Sequence, residues 1–331
     1  MKKSIYIFSS GQLHRKQNTL YFQKEDGSRK YIPVENTQEI FIFGEVTINK
    51  KLLEYLSQKE ILLHFYSHYG YYMGSFYPRE HYNSGHLLVK QVQHYLDKGK
   101  RMTLAKSFVK GAVGNMKKVL QYYENRGKDT MESQKKIQPL EGKIDDALST
   151  EELMALEGNI REIYYGTFDN ILESEEFAFQ KRTRRPPRNR LNALISFTNS
   201  LLYSIILREI YKTHLDPRIG YLHIPNFRRF TLNLDIAEVF KPVIVDRVIF
   251  TLINKKMLNH KDFEEKAQGI YLKEKGRRTV VEEMDRRLKS TLRHERLKRN
   301  VSYENLILLE LYKLEKHILE EESYHPFISR W

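Results

Sequence analysis

Two patterns of hydrophobic positions divide the chain near residue 80. Up to that point, short segments rich in β-branched and aromatic residues are separated by turn signals such as Glu25-Asp26-Gly27-Ser28, which is typical of β-strands. One segment, Asn49–Gln58, has helical character instead. We predict strands at Ser4–Phe8, Thr19–Lys24, Lys30–Val34, Glu39–Phe43, Ile61–Tyr66 and Tyr71–Tyr77.

From Gly85 onward the apolar positions recur every three or four residues, as in amphipathic helices. The polar stretch 128–149 is the exception, and we predict a loop with little fixed structure there. Because Pro78 and Gly85 bound a short connecting stretch, we place a linker at 81–88. It separates a β-rich domain at 1–80 from a helical domain at 89–331. The predicted fold class is α+β, a small N-terminal β-rich domain followed by a larger all-helical one.

The charge of the chain indicates the class of partner. Its 56 Lys and Arg against 42 Asp and Glu give a formal charge of +14, which favours a polyanion such as nucleic acid, with solubility alone as the alternative. The absence of cysteine excludes disulfides, thiolate zinc sites and cysteine nucleophiles. The basic start lacks an apolar signal-peptide core, and we expect the apolar segment Leu191–Leu207 to be a buried helix. We therefore predict a soluble cytoplasmic protein.

The stretch from Asp216 to Arg247 carries the residues suited to a metal site. His223 lies a short loop ahead of Asp235 and Glu238, which share one face of a predicted helix. A neutral imidazole and converging carboxylates can hold a hard divalent cation. The alternatives are a structural histidine and ordinary acidic residues in the first turn of a helix. Two arginines between them, Arg228 and Arg229, suit a phosphate substrate.

The same stretch contains a proline and a local ion pair that we interpret structurally. Pro242 is expected to end or kink the helix that bears Glu238. We expect Asp246 to pair locally with Arg247 rather than to act at the site.

A further carboxylate is found on the helix that follows Ser149. Glu157 lies at i+4 from Leu153 and three positions before Ile160, inside the apolar stripe of that helix. A carboxylate there costs several kcal/mol, of the order of ~2–7, unless a cation or hydrogen-bond donors meet it. Two interpretations are possible: Glu157 binds a metal ion, or it forms an ion pair with a core arginine.

Basic segments lie in the second half of the chain. Lys181–Arg190, KRTRRPPRNR, cannot be a helix interior, so its charges either stay solvated or meet phosphates, with Arg184 and Arg185 as candidate contacts. We predict a second connector at Lys273–Arg278, a basic helix at Met284–Arg299 and an amphipathic helix at Tyr303–Glu321.

These segments together resemble the CRISPR-associated Cas1 family of adaptation endonucleases and integrases. The resemblance runs over essentially the whole chain. It is carried by ELMALEGNIREIYY with Glu157, PPRNRLNALISF with Asn192, DPRIGYLH with His223, and LNLDIAEVFKPVIVDR with Asp235 and Glu238.

The resemblance implies a catalytic divalent-metal site made by Glu157, His223 and Glu238. We expect the ion to be Mg²⁺ or Mn²⁺, and we expect Asp235 to orient a ligand or a metal-bound water. It also implies a homodimer formed through the β domain, a companion Cas2 dimer, and double-stranded DNA as both prespacer and CRISPR-repeat substrate. The implied reaction is attack of a DNA 3′-hydroxyl on a phosphodiester, which inserts foreign DNA into the array as a spacer. The alternatives are a non-catalytic basic DNA-binding scaffold and a generic metal nuclease without an integration role.

Overall fold

The computed structural model describes residues 2–79, 82, 84–225, 230–266 and 269–330. It consists of two compact units, Met1–Asn83 and Ser84–Trp331. Strands dominate the first unit and helices the second, which confirms the α+β class. The first unit contains β1 (Lys3–Ile7), β2 (Gly11–Lys16), β3 (Thr19–Lys24), β4 (Arg29–Ile32), β5 (Thr37–Ile42), β6 (Val46–Thr47), α1 (Lys50–Gln58), β7 (Leu62–Tyr66) and β8 (Tyr72–Phe76).

The strands of the first unit form two four-stranded sheets. One has the order β1-β5-β7-β8, with parallel pairing except for the antiparallel edge strand β8. The other has the order β4-β3-β2-β6, in which β2 and β6 pair in parallel. Side chains from both sheets and from α1, such as Leu20, Ile40 and Leu56, form one core from which solvent is excluded.

The strands β2 and β6 were not predicted from the pattern of residues. β2 buries only Leu13 among its six residues, so its apolar alternation is too weak to indicate a strand. The first residue of β2 must be glycine for steric reasons. Gly11 has a φ of +154°, and a Cβ there would lie 2.2 Å from the carbonyl oxygen of Gln23. Only glycine permits this close approach of two backbones.

The second unit is built mainly from helices. The prediction of a loop at 128–149 was wrong, because a helix spans Met131–Gly142. Ile137 anchors this helix in the core, while an exposed pair of Glu132 and Lys136 marks its solvated face. The helices are α2 (Gly85–Leu96), α3 (Lys98–Glu124), α4 (Met131–Gly142), α5 (Thr150–Gly166), α6 (Phe168–Leu172), α7 (Arg190–Tyr211), α8 (Leu232–Phe240), α9 (Arg247–Asn254), α10 (Glu274–Lys289) and α11 (Tyr303–Ile318).

The basic segments after residue 272 differ from the prediction. The expected connector Lys273–Arg278 is the start of α10, and the expected basic helix Met284–Arg299 is divided. Its second part forms a hairpin of β11 (Thr291–His294) and β12 (Arg299–Ser302), in which Leu292 pairs with Val301. Cross-strand pairing therefore overrides the local helical pattern. A second short hairpin joins β9 (Phe263–Lys266) to β10 (Gly269–Leu272). The helix predicted at Tyr303–Glu321 is confirmed as α11.

Two helical segments position the candidate site. Within the described part of the chain, α7 is the single helix long and apolar enough to span a membrane, and 83% of its most apolar window is buried in the fold. That burial confirms the predicted core helix.

After α8, Pro242 begins a π-helical turn, Pro242–Asp246, which leads directly into α9. The Asp246 N–H donates to the Lys241 carbonyl at 3.1 Å, so the proline widens the helix and does not end it.

Candidate metal centre

Glu157 lies on the inner side of α5. The Ser149 hydroxyl begins this helix by accepting a hydrogen bond from the Glu152 N–H at 3.1 Å. The Glu157 side chain is only 17% exposed, and its carboxylate accepts a hydrogen bond from Nε of Arg161, one turn further along α5. The structure therefore contains the ion pair with a core arginine that was one of the two interpretations of Glu157. This ion pair is also compatible with the second interpretation, in which Glu157 binds a metal ion.

Glu238 projects from α8 toward the same arginine. Its Oε2 accepts from Nη2 of Arg161 at 2.5 Å, and its Oε1 accepts from Nζ of Lys241 at 2.5 Å. Burial disfavours the charged carboxylate, but Lys241 and Arg161 outweigh this effect and lower the pKa of Glu238 to about 2. Glu238 is thus an ionised carboxylate in the interior, held between two cations.

His223 is oriented by a buried carboxylate. Its Nδ1 lies 2.7 Å from Oδ1 of Asp235, which is fully buried. The same carboxylate accepts the backbone N–H groups of Tyr221 at 2.6 Å, Leu222 at 3.1 Å and His223 at 2.9 Å. Burial opposes the charged imidazolium, yet the hydrogen bond and charge of Asp235 raise the pKa of His223 overall. Because Asp235 occupies Nδ1, Nε2 is the nitrogen that would meet a ligand.

The structure brings some of the predicted site residues together. Glu157 and Glu238 meet at one guanidinium, and the charges of His223 and Glu238 are close enough to shift each other's pKa. Within the described ranges, no three His, Asp or Glu side chains already stand in metal-binding geometry. Arg161 therefore lies between Glu157 and Glu238, and His223 is close enough to Glu238 for their charges to interact.

The structure describes two of the four arginines that were predicted to contact phosphate. Arg184 and Arg185 lie exposed on the irregular segment that precedes α7, which is compatible with the predicted role. Arg228 and Arg229 lie outside the residues that the structure describes.

Asp246 does not make the predicted local ion pair with Arg247. It is 1% exposed, and neither of its oxygens has a partner within hydrogen-bond geometry among the described residues. Arg247 instead places its guanidinium over the ring of Tyr122, 3.9 Å from the centroid. The π-helical turn is the reason for the difference, because it turns Asp246 into the interior. Burial raises the pKa of Asp246 to about 7, although the charge of Arg161, the hydroxyl of Tyr164 and the charge of Lys241 oppose the shift.

We expect the stability of the metal-free protein to fall from about pH 4 to about pH 7 because of Asp246. The folded state holds this proton more tightly than the unfolded chain, in which the pKa is near 3.8, so rising pH favours unfolding. Asp246→Asn removes this pH dependence. Between pH 5 and pH 8 the free energy of unfolding of the variant should rise relative to that of the wild type by roughly 1–4 kcal/mol. Urea unfolding in EDTA at pH 5 to 8 measures this difference.

The matched control is Asp146→Asn, an exposed aspartate on the same unit. Its difference from the wild type should not change with pH. A constant difference for Asp246→Asn over the same range would contradict the prediction.

Sequence reasoning did not identify Arg161 and Lys241 as site residues. A signal was present, since Arg161 follows Glu157 by four positions and Lys241 follows Glu238 by three. Both cations are nearly buried, at 8% and 7% exposure. A buried cation one helical turn from a suspected ligand indicates that the carboxylate has been neutralised locally.

The donor set suits a hard divalent ion. It offers two carboxylates on different helices, each paired with Arg161, and an imidazole whose Nδ1 is held by a buried carboxylate, the arrangement that orients metal-bound histidines. The buried cation already accepted between the glutamates shows that positive charge is stabilised at this position. The residues present therefore fit such an ion.

Comparisons with known proteins agree on one family. The model of the family described as CRISPR associated protein Cas1 matches residues 5–286. A relative from Thermodesulfovibrio yellowstonii, named CRISPR-associated endonuclease Cas1 2, is 60% identical over 331 residues and is covered completely, as is this chain. The solved structure of a Cas1 protein from Thermotoga maritima is 47% identical, with a TM-score of 0.90 over 97% of this chain and 99% of that one.

A more distant structure shows the fold alone. It is titled as a casposase bound to integration product, and it is 21% identical with a TM-score of 0.86, covering 100% of this chain and 96% of that one. The family match spans most of the sequence, and the relative from Thermodesulfovibrio is similar over its full length. The chain therefore belongs to the CRISPR-associated Cas1 family of endonucleases.

Proposed function

We propose that the chain is a metal-dependent DNA endonuclease and integrase of CRISPR adaptation. In this role it inserts foreign DNA fragments into the CRISPR array as spacers, by attack of a 3′-hydroxyl on a phosphodiester. The observation that carries the proposal is the convergence of Glu157 and Glu238, from two helices, on one buried cation, with His223 close enough to Glu238 for their charges to interact. An interior that gathers acidic ligands around positive charge, in a protein of net charge +14, suits phosphoryl transfer on DNA.

Glu157, His223 and Glu238 are the residues proposed to hold Mg²⁺ or Mn²⁺. A bound ion of this kind polarises a scissile phosphate and stabilises the leaving oxygen. Asp235 contributes by holding His223 through Nδ1, which would leave Nε2 as the nitrogen available to an ion. Three backbone N–H groups fix Asp235 itself, which makes the orientation of His223 rigid.

The proposed partners follow from the same assignment. Double-stranded DNA is the substrate, as prespacer and as CRISPR repeat. We further propose a cytoplasmic homodimer formed through the β-rich domain at 1–80 and associated with a Cas2 dimer. The excess of positive charge supports the nucleic-acid partner.

A strand-transfer assay with a repeat-bearing target tests the function. We expect joining of a DNA fragment in Mn²⁺, its loss in EDTA, and preference for the repeat over an unrelated duplex. A DNA-binding scaffold would bind DNA in EDTA as well as in Mn²⁺ and join nothing. A generic nuclease would cut both duplexes alike, so either result would reject integration.

Arg184 and Arg185 are proposed to contact DNA phosphates. Replacing both with alanine should weaken DNA binding and reduce the slope of log affinity against log salt by about 1–2, since each neutralised phosphate releases roughly 0.9 counterion. Fluorescence anisotropy at several salt concentrations measures the slope. The control, Lys135→Ala with Lys143→Ala, removes the same charge from exposed positions around α4. Equal slopes for the two double variants would contradict a specific role.

A further inference from the structure

Arg161 occupies the space between the two proposed acidic ligands. Its Nε donates to Oε1 of Glu157 and its Nη2 donates to Oε2 of Glu238 at 2.5 Å. Lys241 takes the remaining oxygen of Glu238. Two of the carboxylate oxygens that would face a metal ion are therefore already bonded to a guanidinium. A divalent ion cannot use these oxygens fully while Arg161 remains in place.

A second observation comes from buried polar atoms without partners. Among the described residues, Nη1 of Arg161, Oη of Tyr164 and both oxygens of Asp246 have no partner within hydrogen-bond geometry, although the Tyr164 hydroxyl is close enough to Asp246 to lower its pKa. The charge of Arg161 acts on both Asp246 and Tyr164, so these atoms belong to one region of the interior. A buried carboxylate without an ion pair and a guanidinium with an unused nitrogen are each costly alone. They are complementary to each other.

Charge balance gives the physical reason for a change of partner. Arg161 and Lys241 already neutralise Glu157 and Glu238. A divalent ion added to this arrangement would bring two more positive charges against the same two carboxylates, in an interior where repulsion is weakly screened. Among the described residues, Asp246 is the nearby carboxylate without an ion pair, and the Tyr164 hydroxyl is the neutral group that acts on it.

We propose that Arg161 exchanges carboxylate partners. It neutralises Glu157 and Glu238 in the metal-free protein and transfers to Asp246 when a divalent ion binds the two glutamates. Among the charged groups, Arg161 has the largest effect on Asp246, so the exchange requires its side chain to turn toward an existing neighbour. Arg161 is thus a positioning residue. It stabilises the acidic site in the absence of metal and leaves the two glutamates when a metal ion binds. This inference rests on the proposed metal site.

The exchange predicts how metal affinity responds to each residue. Arg161→Gln removes the competing cation, so Mn²⁺ should bind about tenfold more tightly, the factor expected for the coupling of two contacting groups. Asp246→Asn removes the acceptor for the displaced guanidinium, so Mn²⁺ should bind about tenfold more weakly. In the Arg161→Gln background, Asp246→Asn should change the affinity little, because no guanidinium remains to be accepted.

Titration of Mn²⁺ by electron paramagnetic resonance, with the wild type, both single variants and the double variant, measures these affinities directly. Weaker or unchanged binding by Arg161→Gln would mean that Arg161 only organises the glutamates, and it would overturn the proposal. An equal loss from Asp246→Asn in both backgrounds would mean that Asp246 acts only through its charge, and it would also overturn it.

Thermal unfolding provides a second readout that tests folding as well. Arg161→Gln should unfold at lower temperature than the wild type in EDTA, since Glu157 and Glu238 lose a cation. Its unfolding temperature should rise more than that of the wild type when Mn²⁺ is added. If Arg161→Gln does not fold even with Mn²⁺, Arg161→Lys takes its place. A lysine cannot bridge both glutamates as the guanidinium fork does, so it should also tighten Mn²⁺ binding, and failure to do so overturns the exchange.

The metal site and the exchange fail in different ways. If Glu157→Gln and His223→Ala bind Mn²⁺ as the wild type does, the proposed ligands are wrong. If those variants lose Mn²⁺ binding but Arg161→Gln does not gain it, the ligands stand and only the exchange is rejected.

Discussion

Replacing Glu157 with glutamine is expected to reduce Mn²⁺-dependent strand transfer by about a thousandfold. A catalytic metal ion contributes several kcal/mol to a phosphoryl-transfer transition state, and each factor of ten corresponds to about 1.4 kcal/mol. The amide cannot supply the negative charge that a carboxylate gives to a hard cation. Arg161 keeps its ion pair with Glu238 in this variant, so the protein should remain folded. Single-turnover strand transfer and Mn²⁺ affinity together measure the loss.

The control for this variant is Glu162→Gln, the next glutamate on α5. Glu162 is exposed, so the substitution removes the same charge from the same helix without reaching the site. Its activity should stay within about twofold of the wild type, because a surface substitution of this kind changes free energies by no more than roughly 0.5 kcal/mol. Near-normal activity of Glu157→Gln would exclude Glu157 as a ligand.

Replacing Asp235 with asparagine is expected to weaken both the fold and the reaction. The two oxygens of Asp235 receive four donors, two from His223 and the backbone N–H groups of Tyr221 and Leu222. An amide turned either way would point its NH₂ group at two of these donors. Buried hydrogen bonds to a charged group are worth about 1.5–3 kcal/mol each, so the loss of two should lower the free energy of unfolding by roughly 3–6 kcal/mol.

The same substitution should reduce strand transfer by about 10–100-fold, the usual effect of removing a group that orients a metal-bound histidine. Urea unfolding and strand transfer of the folded variant measure the two effects separately. Asp146→Asn is the control, since Asp146 is exposed and should alter neither quantity. An Asp235→Asn protein that is destabilised but fully active would show that Asp235 supports the loop and not the chemistry of His223.

Much of the fold was predictable because its signals are local. Five of the six predicted strands overlap an observed strand closely, and Lys30–Val34 overlaps β4 in part. The failures have a common cause. β2, α4 and the β11–β12 hairpin are polar or basic elements whose solvent-facing side chains dominate their composition. Their structure depends on partners elsewhere in the chain, such as the pairing of Leu292 with Val301.

The candidate site shows the same division. The position of Glu157 inside an apolar stripe identified it as a carboxylate in need of a cation, and the structure contains that cation in Arg161. The pattern of residues left open whether the cation is an arginine or a metal ion. The proposed exchange joins the two readings, because the arginine and the metal ion would use the same carboxylate oxygens in turn.

The sequence by itself determined the class of fold, the basic character of the protein and the residues with metal chemistry, because periodicity, charge and side-chain type are properties of short segments. Only the tertiary structure decided which charges meet. Arg161 and Glu238 are 77 positions apart and share an ion pair because α5 and α8 converge. Asp246 is buried, with no ion pair among the described residues, because a π-helical turn directs it inward. Such contacts depend on how helices pack, and no local pattern encodes them.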